Sequence, residues 1–335
     1  MVLETKAFQD ANVLVTGGLG FIGSSLSRRL LDLGAAVTLI DSLIPEYGGN
    51  LFNIADIRDR VTVELVDVRD ASAIARLIEG RDYLFNLAGQ TSHLDSMTDP
   101  ITDLDVNAGA QLSILEACRH HNTKLKIVFA STRQVYGRPR YLPVDENHPL
   151  NPVDVNGINK LAGEWYHLLY NNVYGIRACA LRLTNTYGPG MRVKDARQTF
   201  LGTWIRRLIE GEPIHLFGDG KQRRDFNYVD DVVEALLLAA ISREVDGQVF
   251  NLGHNENMSL LELATLLLKL NGSGTYEAVP FPHDREVIDI GNYYGNFSKF
   301  SNAAGWSPEV LLSEGLGRTL EYYRQHHAHY WEDGI

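Results

Sequence analysis

The chain has 335 residues, 44% of them hydrophobic, enough for a sizeable core in one large domain or two intimate ones. Its formal net charge of −11 argues against a nucleic-acid partner, because phosphate backbones are bound by basic surfaces. No apolar run approaches the roughly 20 residues needed to cross a membrane, and the N-terminus lacks a signal-peptide pattern, so a cytoplasmic protein without a membrane partner is expected.

In chain order, "NVLVTG" (Asn12 to Gly17) is a short apolar run ending in glycine. "FIGSSLSRRLLDLG" follows with helical spacing through Ile22, Leu26, Leu30 and Leu33, and Gly34 is a plausible stop. Further strands are expected at Ala35 to Asp41, Val61 to Asp67, Tyr83 to Gly89, Lys126 to Ser131 and Ile176 to Asn185. Helices are expected at Ala71 to Ile78, Ile101 to His121 and Asn156 to Tyr170. Near-continuous apolar strands separated by helices predict an α/β fold, a doubly wound parallel sheet covered on both faces. After Asn185 the loops carry more Gly, Pro and Arg, and short segments surround a helix at Ser259 to Leu270. This second half reads as a smaller α/β domain that closes over the carboxyl ends of the strands. Cys118 and Cys179 have apolar neighbours and no metal-ligand spacing, so buried thiols and no metal site are expected.

"TGGLGFIG" places Gly17, Gly20 and Gly23 between the first strand and first helix, with Phe21 and Ile22 opening that helix. Glycines permit the tight turn and let backbone N–H groups and the helix N-terminus approach a pyrophosphate. Asp41 ends the second strand, where a carboxylate accepts hydrogen bonds from a ribose diol. The following "SLIPE" has no arginine for a 2′-phosphate, which favours NAD over NADP. Asp67 and Val68 are expected to flank the adenine, and Leu87 and Ala88, ending the fourth strand, to line the cofactor as well.

With "TGGLGFIG", "NLAGQ", "STRQVYG", "NGINKLAGE", "RLTNTYGPG" and "RRDFNYVDD" in order, the chain resembles the extended short-chain dehydrogenase/reductase family, and within it the nucleotide-sugar epimerases and dehydratases. The resemblance covers nearly the whole chain. It implies a Rossmann-type NAD domain over residues 1–184, to which a segment near 225–255 returns, and a discontinuous nucleotide-sugar domain over 185–335. It implies that Thr132 hydrogen-bonds the reacting sugar oxygen and that Lys160 holds the nicotinamide ribose. Asn185 and Arg224 are implied contacts of the nucleotide diphosphate, and Arg285 a second phosphate contact. A homodimer is implied too, through the apolar helices near Leu104 to Cys118 and Leu161 to Leu169.

Two positions depart from the family pattern. Asn156 stands four residues before Lys160, where the resemblance places a catalytic tyrosine, and an amide is no general base near neutral pH. Arg133 and Gln134 follow Thr132, where 4,6-dehydratases carry an acid that protonates the leaving hydroxyl and a glutamate that takes the C5 proton. Arg133 and Gln134 do neither, and the glutamate that decarboxylases keep in this segment is absent. Three explanations stay open: His93, Asp95 or a residue of the second domain takes the tyrosine's part; Thr132 and water relay the proton in a slower or different reaction; or the chain, by design or by nature, binds its ligands without turnover. The expected activity is NAD-dependent epimerisation of a nucleotide sugar by transient oxidation, commonly at C4. A dehydratase or other isomerase is the alternative enzyme, and an inactive NAD and nucleotide-sugar binder the alternative of another class.

Overall fold

The computed structural model describes residues 5–44, 47–195 and 199–331. Pro45 and Glu46, within the arginine-free stretch after Asp41, lie outside the described residues. The described strands are β1 (Asn12–Thr16), β2 (Ala36–Asp41), β3 (Thr62–Leu65), β4 (Tyr83–Asn86), β5 (Lys126–Thr132), β6 (Ala178–Leu183), β7 (Asn185–Tyr187), β8 (Ile214–Phe217), β9 (Arg223–Tyr228), β10 (Val249–Asn251), β11 (Asn257–Ser259) and β12 (Tyr276–Val279).

Seven of them form a parallel sheet in the order β10-β6-β5-β4-β1-β2-β3. Strand order reverses at β1, which lies between β2 and β4. That opens a crevice outside the carboxyl ends of these strands, the place where such sheets bind ligands. Alternate residues of β1 feed opposite cores: Val13 and Val15 join one cluster and Leu14 the other. Burial on both faces is the reason the central strands read as continuous apolar runs. β3 is one edge, with Leu65 63% exposed, and it ends before Asp67, whose carboxylate instead accepts from Arg69 at 2.7 Å.

Two expected elements are divided. The run from Ile176 to Asn185 leaves the large sheet at Thr184, whose hydroxyl bonds Asp225 while the Asn185 amide donates to the Asp225 carbonyl at 2.9 Å. β7 consequently pairs with β9 in a three-stranded sheet, β11-β9-β7; β8 and β12 form a parallel pair. The run from Ile101 to His121 contains a π-helical segment, Asp105–Gly109, between the helices Pro100–Leu104 and Ala110–His121. Gln111 donates its side-chain amide to the Val106 carbonyl at 3.0 Å, within this wider turn. The helix Val155–Tyr174 packs closely on this segment: a Cβ on Gly163 would stand 3.2 Å from the Asn107 carbonyl oxygen and 2.9 Å from Phe129. Both cysteines are buried free thiols, and burial pushes Cys118 up to about 12.

Candidate active site

A cavity of about 650 Å³ lies over the carboxyl ends of β1, β2, β4 and β5. Its lining contains Gly17, Gly20, Phe21, Ile22, Gly23, Asp41, Asp67, Val68, Leu87 and Ala88 along one stretch. His93, Thr132, Arg133, Asn156 and Lys160 belong to the same lining, and so do Asn185, Arg224 and Arg285. Asp95 is not part of it; its backbone N–H is capped by Ser92 Oγ at 3.1 Å.

The glycine turn is built for a close backbone approach. Gly17 has φ +69°, which glycine tolerates without a Cβ clash. A Cβ on Gly23 would fall 2.2 Å from the Gly17 carbonyl oxygen, so no other residue fits. Phe21 and Ile22 begin the helix Phe21–Asp32, and first-turn N–H groups have no intrahelical acceptor. Asp41 steadies the turn: its carboxylate accepts from Leu19 N at 3.0 Å and from Leu43 N at 2.8 Å. Burial raises its pKa, those two bonds working against the rise. Spare lone pairs on the carboxylate remain for a ribose diol. These residues fit NAD, with the pyrophosphate on the helix N-terminus and the ribose at Asp41.

Lys160 projects from the helix Val155–Tyr174 and donates to the Ala130 carbonyl at 3.2 Å, 5.1 Å from the Phe129 ring centroid. Burial pushes its pKa down to about 8, against the pull of Asp103 and Glu164. Gly89 gives it room: a Cβ there would stand 2.7 Å from Lys160 Nζ. Thr132 ends β5, and its Oγ accepts from Gln134 N at 3.2 Å, capping a short 3-10 turn at Arg133–Tyr136. The hydroxyl proton stays available for a ligand. Beneath it Arg182 holds Glu164 through two bonds, at 2.8 and 2.6 Å, and reaches the Tyr136 hydroxyl at 2.6 Å.

Asn156 is spent on the scaffold. Its amide nitrogen donates to the Gln90 carbonyl at 2.7 Å and to Asp103 Oδ2 at 3.2 Å. Both partners are acceptors, which fixes the NH₂ on that side and leaves only Oδ1 for a ligand. Asn107 bridges the same two groups, at 2.9 and 3.0 Å, and Asn159 donates to Asp103 Oδ1 at 2.8 Å. Tyrosine does not return from elsewhere: Tyr47 alone among the described tyrosines lines the cavity, and burial with nearby Asp99 raises its phenol pKa.

His93 is held differently. Its Nδ1 lies 3.0 Å from Asp154 Oδ2. Asp154 is the N-cap of the Lys160 helix; its Oδ1 accepts from Gly157 N at 2.7 Å and its Oδ2 from Gln134 Nε2 at 3.0 Å. Burial works to raise this carboxylate, but the hydrogen bond from His93, with those from Gly157 and Gln134, holds it below the ordinary range. With Nδ1–H donated to Asp154, Nε2 of His93 carries the free lone pair. The cavity wall thus offers a proton-accepting imidazole, a hydroxyl and an ammonium. Sequence reasoning reached His93 but missed Asp154, Asp103 and Gln90.

Arg224, on β9, donates to the Arg223 carbonyl at 3.0 Å and to the Gly291 carbonyl, and pairs with Asp289 at 3.3 Å. Burial, with Arg133 adding to it, pushes Arg224 down to about 10. Asn185 reaches the cavity from β7, and Arg285 from the helix His283–Glu286, its guanidinium 5.7 Å from the Phe217 ring centroid.

Residues 13–253 match the model of the NAD dependent epimerase/dehydratase family. The chain belongs to that family. Among its relatives, the putative UDP-glucose 4-epimerase of Methanocaldococcus jannaschii is 34% identical, with 93% of this chain and 98% of the relative covered. The crystal structure of a Thermotoga maritima UDP-glucose 4-epimerase with UDP-glucose superposes with a TM-score of 0.85 at 31% identity, covering 94% and 99% of the two chains. A dTDP-glucose 4,6-dehydratase from Streptomyces venezuelae, solved with NAD bound, gives a TM-score of 0.87 at 26% identity, covering 96% and 99%. The family's members are NAD-dependent enzymes of nucleotide sugars; this chain shares their Rossmann-type α/β fold and their cofactor.

Proposed function

We propose that this protein epimerises a nucleotide sugar by transient oxidation at C4, with His93 and Asp154 in the place of the family tyrosine. NAD, when bound, supplies the hydride acceptor and donor. Thr132 orients the sugar hydroxyl through its free proton, and His93 Nε2 takes that hydroxyl's proton and later returns it. Asp154 fixes the imidazole tautomer and stabilises its protonated form. Lys160 holds the nicotinamide ribose and keeps a positive charge beside the developing alkoxide. Asn185, Arg224 and Arg285 hold the diphosphate.

The observation that carries this reading is the His93–Asp154 pair at 3.0 Å, whose imidazole lines the cavity together with Thr132 and Lys160. The dehydratase alternative lacks its acid and its C5 base, because Arg133 and Gln134 occupy those positions. Incubation with a panel of UDP-, dTDP-, GDP- and CDP-sugars, read by NMR of the sugar, tests the proposal. Epimerisation supports it; water loss restores the dehydratase, and silence with NAD bound leaves an inactive binder.

A homodimer accompanies this reading. Ile158, Trp165, Leu169 and Val173 form an exposed stripe on the Val155–Tyr174 helix, each at least 51% exposed. Ile101 and Leu104 extend the patch from the adjacent helix. An apolar face of this kind suits a second copy across a two-fold axis.

A further inference from the structure

Arg133 follows Thr132 directly and lines the same cavity. Its guanidinium lies 5.5 Å from the Tyr293 ring centroid, and its Nε is buried without a hydrogen-bond partner. Among the described residues no carboxylate or carbonyl pairs with it. The acids around it are engaged elsewhere: Asp154 with His93 and Gly157, Asp225 with Thr184 and the Gly295 N–H, Asp289 with Arg224 and the Gly291 N–H. Burial lowers its pKa, and the field of those acids offsets part of the drop. Desolvating a cation without pairing it is among the costliest arrangements in a protein interior, so an unpaired guanidinium on a cavity wall fits an anion carried in by the ligand.

A nucleotide sugar offers two places for that anion: the diphosphate, or an acidic group on the sugar. Arg133 follows Thr132 in the chain, the residue whose hydroxyl addresses the reacting carbon, and it lines the cavity together with His93 and Lys160. Arg224 and Arg285 are already assigned to the diphosphate, so the anion left for Arg133 is a carboxylate on the carbon next to the reacting one. A planar guanidinium, set over the Tyr293 ring, matches a planar carboxylate with two parallel N–H donors.

We propose that Arg133 selects a nucleotide-linked hexuronic acid, pairing with the sugar carboxylate beside the carbon that is oxidised. This rests on the reading of the site as one that oxidises a nucleotide sugar. No bond is made or broken in the step; the guanidinium binds and orients.

The test compares UDP-glucuronate with UDP-glucose, and the dTDP- and GDP-linked hexuronate and hexose pairs, on wild type, Arg133→Gln and Arg133→Lys. Affinity is read by calorimetry and turnover by NMR. Wild type is expected to favour the hexuronate of one nucleotide roughly 10- to 100-fold over its hexose. Arg133→Gln removes most of that ratio, and Arg133→Lys, charged but without the fork, keeps part of it. Thermal melting checks folding, and Arg133→Lys keeps the test decisive if the glutamine variant does not fold. A wild-type preference for the hexose, or variants that weaken both partners of a pair equally, overturns the proposal and assigns Arg133 to the diphosphate or to the scaffold. Hexuronate-selective binding with no sugar converted overturns the catalytic reading instead and leaves the Arg133 assignment standing.

Discussion

Asn156 Nδ2 stands 3.2 Å from Asp103 Oδ2 and 2.7 Å from the Gln90 carbonyl oxygen, so the residue at the family's tyrosine position is a buried strut. Replacing it by the family residue, Asn156→Tyr, inserts a large ring at a site only 2% exposed and takes one donor from Asp103 and one from the Gln90 carbonyl. The expected result is lower stability, by about 1–3 kcal/mol, together with altered activity and pH profile. Denaturant titration and a pH–rate profile check it. An unchanged activity and profile would show that this position does not matter.

The glycine turn gives a second expectation. In Gly23→Ala the new methyl meets the Gly17 carbonyl oxygen at 2.2 Å and Gly18 Cα at 2.9 Å, both backbone atoms. The turn must open, and NAD affinity falls by roughly 10-fold or more, as a strain of about 1–3 kcal/mol requires. Calorimetric titration of the NAD-free protein reads this directly, and Gly80→Ala, at an exposed turn, shows what strain from a positive φ does away from the site.

Acid should weaken the fold through His167. This ring is fully buried, its Nδ1 is 2.7 Å from the Gly163 carbonyl oxygen, and it stacks on Phe129 with centroids 4.4 Å apart. Burial pushes its pKa down to about 4 from the ordinary 6.5. The unfolded chain therefore takes up the proton first, and stability is lost as pH falls from about 6.5 to about 4. Relative to His167→Gln, the wild type is expected to lose about 3 kcal/mol across that window, measured by urea unfolding. A constant difference between the two proteins would contradict the assignment.

The apolar helix face yields a solution test. Trp165 is 59% exposed and centres the stripe that includes Leu169. Trp165→Glu places a charge in the proposed two-fold interface, and sedimentation should show monomer where the wild type is dimeric. A monomeric wild type at micromolar concentration would remove the dimer from the account.

Much of this arrangement was legible in the amino-acid order. The period of apolar runs marked the strands, and glycine spacing marked the turn whose backbone leaves no room for a Cβ at Gly23. Local signals end where tertiary pairing begins. Asp154 precedes a helix and looks like an N-cap, but its bond to His93 joins segments distant in the chain. Asp103 and Gln90 become acceptors for Asn156 only because the helix Pro100–Leu104 and the loop after β4 meet the Val155–Tyr174 helix. That Arg133 has no partner is likewise invisible until its surroundings are assembled.

The central claim is that His93, oriented by Asp154, moves the proton during sugar oxidation. Its most direct test is the rate of epimerisation, with the absorbance of reduced nicotinamide followed in parallel, for wild type, His93→Gln and Asp154→Asn on the sugar that the panel identifies. The account predicts that His93→Gln slows turnover by roughly 100- to 10,000-fold with NAD still bound, and removes one ionisation from the pH–rate profile. Asp154→Asn slows it less, because the imidazole keeps its place but loses the carboxylate that fixes its tautomer. Wild-type turnover by His93→Gln, with the profile unchanged, would contradict it.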